Sequence, residues 1–321
     1  MASQVSPFVS IHGRRFGLTP LGLEVDGRQI TSGNPTYGNT FYVHSATGDD
    51  SRDGKSPLRA LATIDAAVNL CTANQGDAII VLPNHTETLT ATDITVDVAG
   101  VSIIGIGHGG QMPHLLHNHA DAEVSIVADD VLWQGIRHSA DVTAVKVAIE
   151  IEDGADNCIV RGCKFDVVAT TTDEFLVSIR TNDASNFALI EDCDIDMGLG
   201  GAVAAISFTK DTDGTTVRGC RIQGDYSTAV INGITTASTN LDINGNLLIN
   251  GTSGGIGTEP GIELVTGSTG TIRDNYIVCN LATKAAAVVA DTAMLFQNFY
   301  NEDVSGAATG GLVGTASADD L

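Results

Sequence analysis

Val160-Arg-Gly-Cys163-Lys-Phe165, Ile190-Glu-Asp-Cys193-Asp-Ile195 and Val217-Arg-Gly-Cys220-Arg-Ile222 are one phrase written three times. It runs apolar, two polar or Gly, a small slot residue, one variable residue, apolar. It returns with Asn in the slot at Ile243-Asn-Gly-Asn246-Leu-Leu248, Ile272-Arg-Asp-Asn275-Tyr-Ile277 and Leu295-Phe-Gln-Asn298-Phe-Tyr300. Looser copies place Gly105 and Gly135 in the slot, and from Gly105 the steps are 30, 28, 30, 27, 26, 29 and 23 residues. A self-similar period in the twenties means stacked units.

The phrases are short and rich in Val, Ile and Thr, with Gly, Asn, Asp and Ser between them, which is strand punctuation. No long helical pattern separates them, so leucine-rich and ankyrin-type repeats are excluded. The expected fold is all-β: a right-handed parallel β-helix, a single-stranded solenoid with one coil per repeat and coils about 4.8 Å apart. Equivalent residues then stack. Asn246, Asn275 and Asn298 are expected to form an inward ladder of amides, with Cys163, Cys193 and Cys220 filling the same slot as small buried reduced thiols. Two residues before the slot lie Arg161, Glu191, Arg218, Asn244 and Arg273; one residue after it lie Lys164, Asp194, Arg221, Leu247 and Tyr276. Their signs alternate over three coils, as solvent-exposed ionic ladders require, each pair worth about 0–1 kcal/mol.

The net charge of −23 argues against nucleic acid, whose phosphates need Lys and Arg, and against an anionic membrane surface. No apolar run reaches the ~18 residues of a transmembrane helix. Met1-Ala-Ser-Gln-Val-Ser-Pro7 lacks a signal-peptide pattern, so synthesis in a cytoplasm is expected. The sequons Asn84-His-Thr86 and Asn250-Gly-Thr252 then carry no glycan.

Residues 1–40 hold Arg14, Arg15 and Arg28 with few acids. They read as an extended arm, suited either to docking on a partner or to capping the body. Residues 62–74 place Ile64, Ala67, Val68 and Cys71 on one helical face; a helix there would cap the open end of the stack. The β-helix is expected over 41–300. Residues 301–321 are mostly Gly, Ala, Ser, Thr and Asp and form a tail.

Phe41-Tyr-Val, Gly48-Asp-Asp-Ser-Arg-Asp-Gly54, Pro57 and Ala62-Thr-Ile-Asp-Ala-Ala-Val68 resemble the opening of pectate-lyase-like β-helix proteins. Gly76-Asp-Ala-Ile-Ile-Val-Leu-Pro-Asn-His-Thr-Glu87 and Val101-Ser-Ile-Ile-Gly-Ile-Gly-His-Gly-Gly110 look like their first coils. With this opening and a Gly-Ala-rich end, the chain also resembles tailed-phage virion proteins. The resemblance covers roughly residues 41–300 and implies a fold more firmly than a function. Pectate lyases of this fold hold calcium with clustered acids and use an Arg base on an adjacent coil. Polygalacturonases use close Asp residues with His-Gly and Arg-Ile-Lys elements. This chain has neither Arg-Ile-Lys nor Asn-Thr-Asp, and its His108-Gly109 lacks acidic companions.

Candidate chemistry is thin. Asp166 and Asp196, each three residues after the slot, would sit one coil apart, near the carboxyl separation of retaining glycosidases; Asp at a turn is the plainer account. Glu150 and Glu152 face Arg180 on the next coil, as a surface ion pair or the lining of a face. His114, His117 and His119, with His108, Asp121 and Glu123 nearby, are a local metal-type cluster in what reads as an exposed loop. A metal on a three-fold axis, one His per subunit, is the alternative. Asp49 and Asp53 begin a calcium-loop pattern, but Ala60 stands at the twelfth position. Gly54-Lys-Ser56, Gly105 to Gly110 and Gly251 to Gly255 match phosphate-loop, dinucleotide and nucleophile-elbow letters without the required helices.

The expectation is a non-enzymatic virion protein without cofactor, synthesised in the host cytoplasm and decorating or cementing a capsid exterior. Its partners would be the major capsid protein and itself, as a homotrimer docked through Arg14, Arg15 and Arg28. The alternative is a tailspike-like appendage binding or cleaving host surface glycans. A secreted carbohydrate-active enzyme is a third reading.

Overall fold

The computed structural model describes residues 38–301 apart from 91–93, 170–171, 183, 199–200, 253–254, 257–258, 280–287 and 291–292; beyond these it describes the backbone of short strands near both termini. The chain divides into two compact units, Met1–Gly38 and Asn39–Leu321.

The first unit is a four-stranded antiparallel sheet of Phe8–Ile11, Arg14–Thr19, Gly22–Val25 and Arg28–Gln29, paired in sequence order. The expected arm is therefore folded back on itself. Arg14 and Arg15 open its second strand, opposite Ile11 and Ser10, and Arg28 lies opposite Val25. Their side chains lie outside the described residues.

The second unit is a parallel β-helix with three faces. Among the described residues, face 1 has ten strands, from Thr40–Val43 to Met294–Phe296. Face 2 has eleven, starting at Thr86–Leu89, and face 3 has eight, from Ile94–Val96 to Val288–Val289. Each coil visits faces 1, 2 and 3 in turn, and pairing between coils is parallel and in register apart from a bulge at Gly224. The period-2 alternation of each strand sends one set of side chains inward. On face 1 that set includes Ile79, Ile103, Trp133, Val160, Ile190, Val217, Ile243 and Ile272, all fully buried. Each such side chain is worth about 1.5–3 kcal/mol, so every coil adds several kcal/mol of core.

The capping helix is real but short, Ile64–Val68. Thr63 Oγ1 accepts the Ala66 N–H at 3.2 Å. Asp50 accepts from the N–H groups of Ala62 and Thr63 at 2.7 and 3.0 Å, so the helix start is capped from the acidic loop. Ile64, Ala67 and Val68 are buried, packed against the first strands of faces 1 and 3. The helix ends at Val68, short of the expected 62–74, although Cys71, the last residue of the expected face, still packs against the core. Beyond it Asp77 takes the Thr72 N–H at 2.7 Å, bending the chain into face 1.

At the corner between faces 1 and 2 the register corrects one part of the repeat. Leu132 pairs with Ser102 and with Ile159, and Arg137 with Lys164. Gly105 and Gly135 therefore align with Gly162, one residue before the slot; the slot itself holds Ile106 and Ile136. The preceding position is left-handed in coil after coil: Gly135 (φ 71°), Gly162 (58°), Asp192 (54°), Gly219 (65°), Gly245 (64°), Asp274 (56°) and Gln297 (50°). Gly, Asn and Asp tolerate that conformation best. A Cβ on Gly105 would lie 2.3 Å from the Gly135 carbonyl oxygen, so this pair of coils also needs glycine for space. At the other end, Gly311–Val313 pairs antiparallel with Asn298–Asn301; the rest of the 301–321 tail lies outside the described residues.

Candidate functional site

The corner slot carries a continuous hydrogen-bonded column. Asn246 Nδ2 donates to Asn275 Oδ1, and Asn275 Nδ2 to Asn298 Oδ1, each at 2.9 Å. Their second amide protons go to the carbonyls of Val217 (3.0 Å) and Ile243 (2.9 Å). Asn246 Oδ1 accepts the Cys220 N–H at 2.9 Å. All three Asn residues are buried, and each bridges neighbouring coils. Below them Cys220, Cys193 and Cys163 are free and buried. Hydrogen bonding to the Cys163 and Cys220 thiols, with burial, holds the Cys193 thiol well above its usual range.

The ionic columns are not uniformly exposed. Glu191 is 5% exposed and sits between Arg161, whose Nε donates to Oε1, and Arg218, whose Nε donates to Oε2 at 2.7 Å. Burial opposes its charge, but the two arginines outweigh burial and hold its carboxyl below the usual range. In the other column Arg221 reaches Asp194 at 2.8 Å, whereas Lys164 turns to Asp166 at 3.3 Å.

Asp166 and Asp196 follow the adjacent paired residues Phe165 and Ile195 on face 2. Asp166 is engaged from the coil before: Arg137 Nε donates to both its oxygens at 2.9 and 3.1 Å. Ser139 Oγ donates to Oδ1, and Ser139 meets His114 Nε2 at 2.8 Å. Asp196 caps the Gly198 N–H at 3.2 Å. Both acids thus hold the fold locally.

The histidines do not converge. His114–His117 is a strand of face 2, not a loop. His114 lies half-buried beside Ser139, His117 points inward and is fully buried, and His119 is exposed beside Asp121. The inward ring belongs to a relay invisible in the local sequence. Trp133 Nε1 donates to His138 Nε2 at 3.1 Å, and His138 Nδ1 meets His117 Nε2 at 3.1 Å. His117 Nδ1 meets the Ala122 carbonyl at 2.8 Å. Every ring nitrogen is satisfied when both imidazoles are neutral. His138 also stacks on Phe165, and Phe175 meets His117 edge-on.

In the acidic loop, Asp49 accepts from Ser51 N and Oγ at 2.9 and 2.7 Å, and Asp53 from Arg59 Nε at 2.8 Å. These are turn and cap bonds within the loop rather than convergent ligands. Asn250 of the second sequon is buried, its Oδ1 accepting the Tyr226 N–H at 3.0 Å.

Among the described residues, the group that could hold a metal ion is Glu123, Glu150 and Glu152, whose carboxylate oxygens lie within 4.8 Å of one another. Arg180, on the next coil, bonds Glu150 through Nε and one terminal nitrogen at 2.7 and 2.6 Å. Asn182 bridges Glu150 and Glu152 at 3.1 and 3.2 Å. Burial works against the Arg180 charge, but the bonds to Glu150 outweigh it and raise its pKa. A guanidinium so held is poorly placed to act as a base.

A second column, at the turn from face 3 into face 1, escaped the sequence reading. Asp129 Oδ1 accepts the Asp156 N–H at 3.0 Å, Asp156 Oδ1 the Asn186 N–H at 2.8 Å, and Asn186 Oδ1 the Asp213 N–H at 3.1 Å. Each side chain caps the next coil. The turn is left-handed at Asp130, Asn157 and Phe187.

No protein-family model and no curated protein sequence matches the chain. Among solved structures, it is similar to a rhamnogalacturonan lyase, with a TM-score of 0.57, 16% identity, and 76% of this chain and 69% of that one covered. A lacto-N-biosidase from Eubacterium ramulus aligns with a TM-score of 0.25 at 10% identity, over 81% of this chain and 67% of that one. The first likeness agrees with the sheet topology: the chain has the pectate-lyase-like parallel β-helix fold.

Proposed function

We propose that the protein is a structural component of a tailed-phage virion, decorating the capsid exterior as a homotrimer and docking through its N-terminal unit. The observation that carries this reading is the division of labour within the chain. The unit Met1–Gly38 holds three arginines against Glu24 and Asp26, so the remainder carries the whole of the net negative charge. In that remainder the carboxylates on the faces are largely committed to the fold. Asp166 is held by Arg137, Glu191 by two arginines, and Glu150 by Arg180. A surface built this way suits a scaffold better than a hydrolytic centre, which needs carboxyl groups free to exchange protons with substrate. An acidic body also suits the outside of a shell filled with DNA. The test is binding of the purified protein to capsids that lack it, with Arg14, Arg15 and Arg28 each changed to Glu. The reading expects saturable binding that the triple change weakens at least tenfold. Equal binding of both proteins would refute docking through these residues.

One observation favours a second reading, a glycan-binding or glycan-cleaving appendage. The Glu123, Glu150 and Glu152 cluster lies on a fold shared with a polysaccharide lyase. Release of reducing ends from host-surface polysaccharide, lost on Glu152→Gln, would replace the first reading with this one.

A further inference from the structure

The solvent side of face 1 changes character along the solenoid. Tyr42, Ile80 and Ile104 stack in register on three successive coils. Leu132, Ile159 and Leu189 stack on the next three, one outward position along the strand. All six are outward-facing and only half-buried. The first four strands of this face carry no charged residue. Its remaining strands carry Arg161, Glu191, Arg218, Asp242 and Arg273, bonded to one another across coils. In a chain of net charge −23 the acids are thus concentrated in the turns, and this panel is close to neutral.

We infer that face 1, centred on its apolar half, is the contact between copies of this chain, lying side by side with parallel axes. This rests on the self-association in the reading above, but not on its trimeric number or its virion location. A parallel sheet with one bare apolar face is uncommon, and a contiguous apolar stripe marks an interaction site. Charge selects the occupant: two strongly acidic bodies can approach closely only through a panel without net charge, and face 1 offers one to an identical panel. Area selects the arrangement. Ten strands at ~4.8 Å and three to four residues at ~3.3 Å give roughly 500 Å² per copy, so about 1,000 Å² for a full-length pair. That is about the minimum for a specific interface. Antiparallel copies sharing only the stripe would bury about half as much. Antiparallel copies in full contact would press the apolar half onto Arg218 and Arg273. Parallel axes alone bury the whole panel with apolar half on apolar half.

The test is sedimentation equilibrium of the full-length protein at 1–50 μM, with Ile104→Asp, Leu132→Asp and, on the exposed side of face 3, Thr95→Asp. Circular dichroism and melting confirm that each variant is folded. Wild type and Thr95→Asp are expected at an integer multiple of the 33.2 kDa chain mass, with both face 1 variants shifted at least tenfold toward the monomer. An Arg273→Cys variant should join to itself through a short bis-maleimide, which parallel axes permit and antiparallel axes do not. A monomeric wild type, or face 1 variants that associate like wild type, would overturn the inference. Capsid binding that persists in such a case leaves the docking reading standing, so the two fail separately.

Discussion

Lowering the pH from 7 to 5 should destabilise this protein through one buried pair of imidazoles. His117 is almost wholly buried, and burial lowers its pKa from 6.5 to about 4, against the favourable Ala122 carbonyl. His138 is pushed well below 6.5 by burial and by the neighbouring His117. In the unfolded chain both titrate near 6.5. The unfolded state therefore binds more protons below that pH, and stability falls as pH falls. The contribution is fully present above pH 6.5 and is lost progressively down to about pH 4. At 1.36 kcal/mol per pH unit, His117 alone gives about 2 kcal/mol of loss between pH 7 and 5. That window lies above the ordinary carboxylate range; Glu174 and Glu263, whose carboxyls burial raises, act in the opposite direction. His138 and the half-buried His114, lowered by burial and Arg137, act in the same direction. The geometry gives the reason: a second proton on His117 would set its Nε2–H against the His138 Nδ1–H, 3.1 Å away. Urea unfolding at pH 7, 6 and 5 measures the effect. The double variant His117→Leu, His138→Phe should be less stable at pH 7 but lose most of the pH dependence. Equal stability at pH 7 and 5, or a His117 imidazole titrating near 6.5 by NMR in the folded protein, would refute the reasoning.

Asn275→Ala should cost about 3 kcal/mol in urea unfolding, because it orphans the Asn246 amide and the Ile243 carbonyl in a dry corner; a cost under 1 kcal/mol would mean the column only fills space. Glu191→Gln should cost about 1–2 kcal/mol at pH 7 by removing the charge between Arg161 and Arg218, screening of the half-exposed arginines keeping the value low. That difference should shrink below pH 4, since a carboxyl held low contributes above its unfolded pKa and loses the contribution as pH falls through the folded one. The six cysteines should react slowly with a water-soluble disulfide reagent in the native state: five are buried, and burial pushes the half-buried Cys71 thiol up to about 12. A fast-reacting thiol would show that a coil opens under native conditions.

The coil period was legible because the slot takes one small residue that stacks on its own kind, and Cys and Asn are rare enough to stand out. The error at Gly105 and Gly135 has a physical source. The residue before the slot also selects glycine, for its left-handed backbone at Gly135 and for space at Gly105, so where the slot holds Ile106 and Ile136 the more conspicuous Gly draws the alignment one residue early. The column of Asp129, Asp156, Asn186 and Asp213 could have been found, since its steps of 27, 30 and 27 match those from Ile136 through Cys163 and Cys193 to Cys220. The His117–His138 relay could not: its partners lie 21 residues apart, and no stacking position joins them. Ion-pair burial was illegible for a similar reason. Alternating signs give the register of Arg161, Glu191 and Arg218, but only packing puts Glu191 inside and the arginines at the rim.

The proposed role, a β-helix scaffold held on a capsid by its N-terminal unit, is tested most directly by stoichiometry. Capsids lacking the protein are titrated with the full chain and with a chain beginning at Asn39, and bound protein is counted per capsid subunit. The account predicts saturation of the full chain at a fixed small-integer ratio and loss of binding without residues 1–38. Absence of saturable binding by the full chain, or undiminished binding by the shortened one, would contradict it.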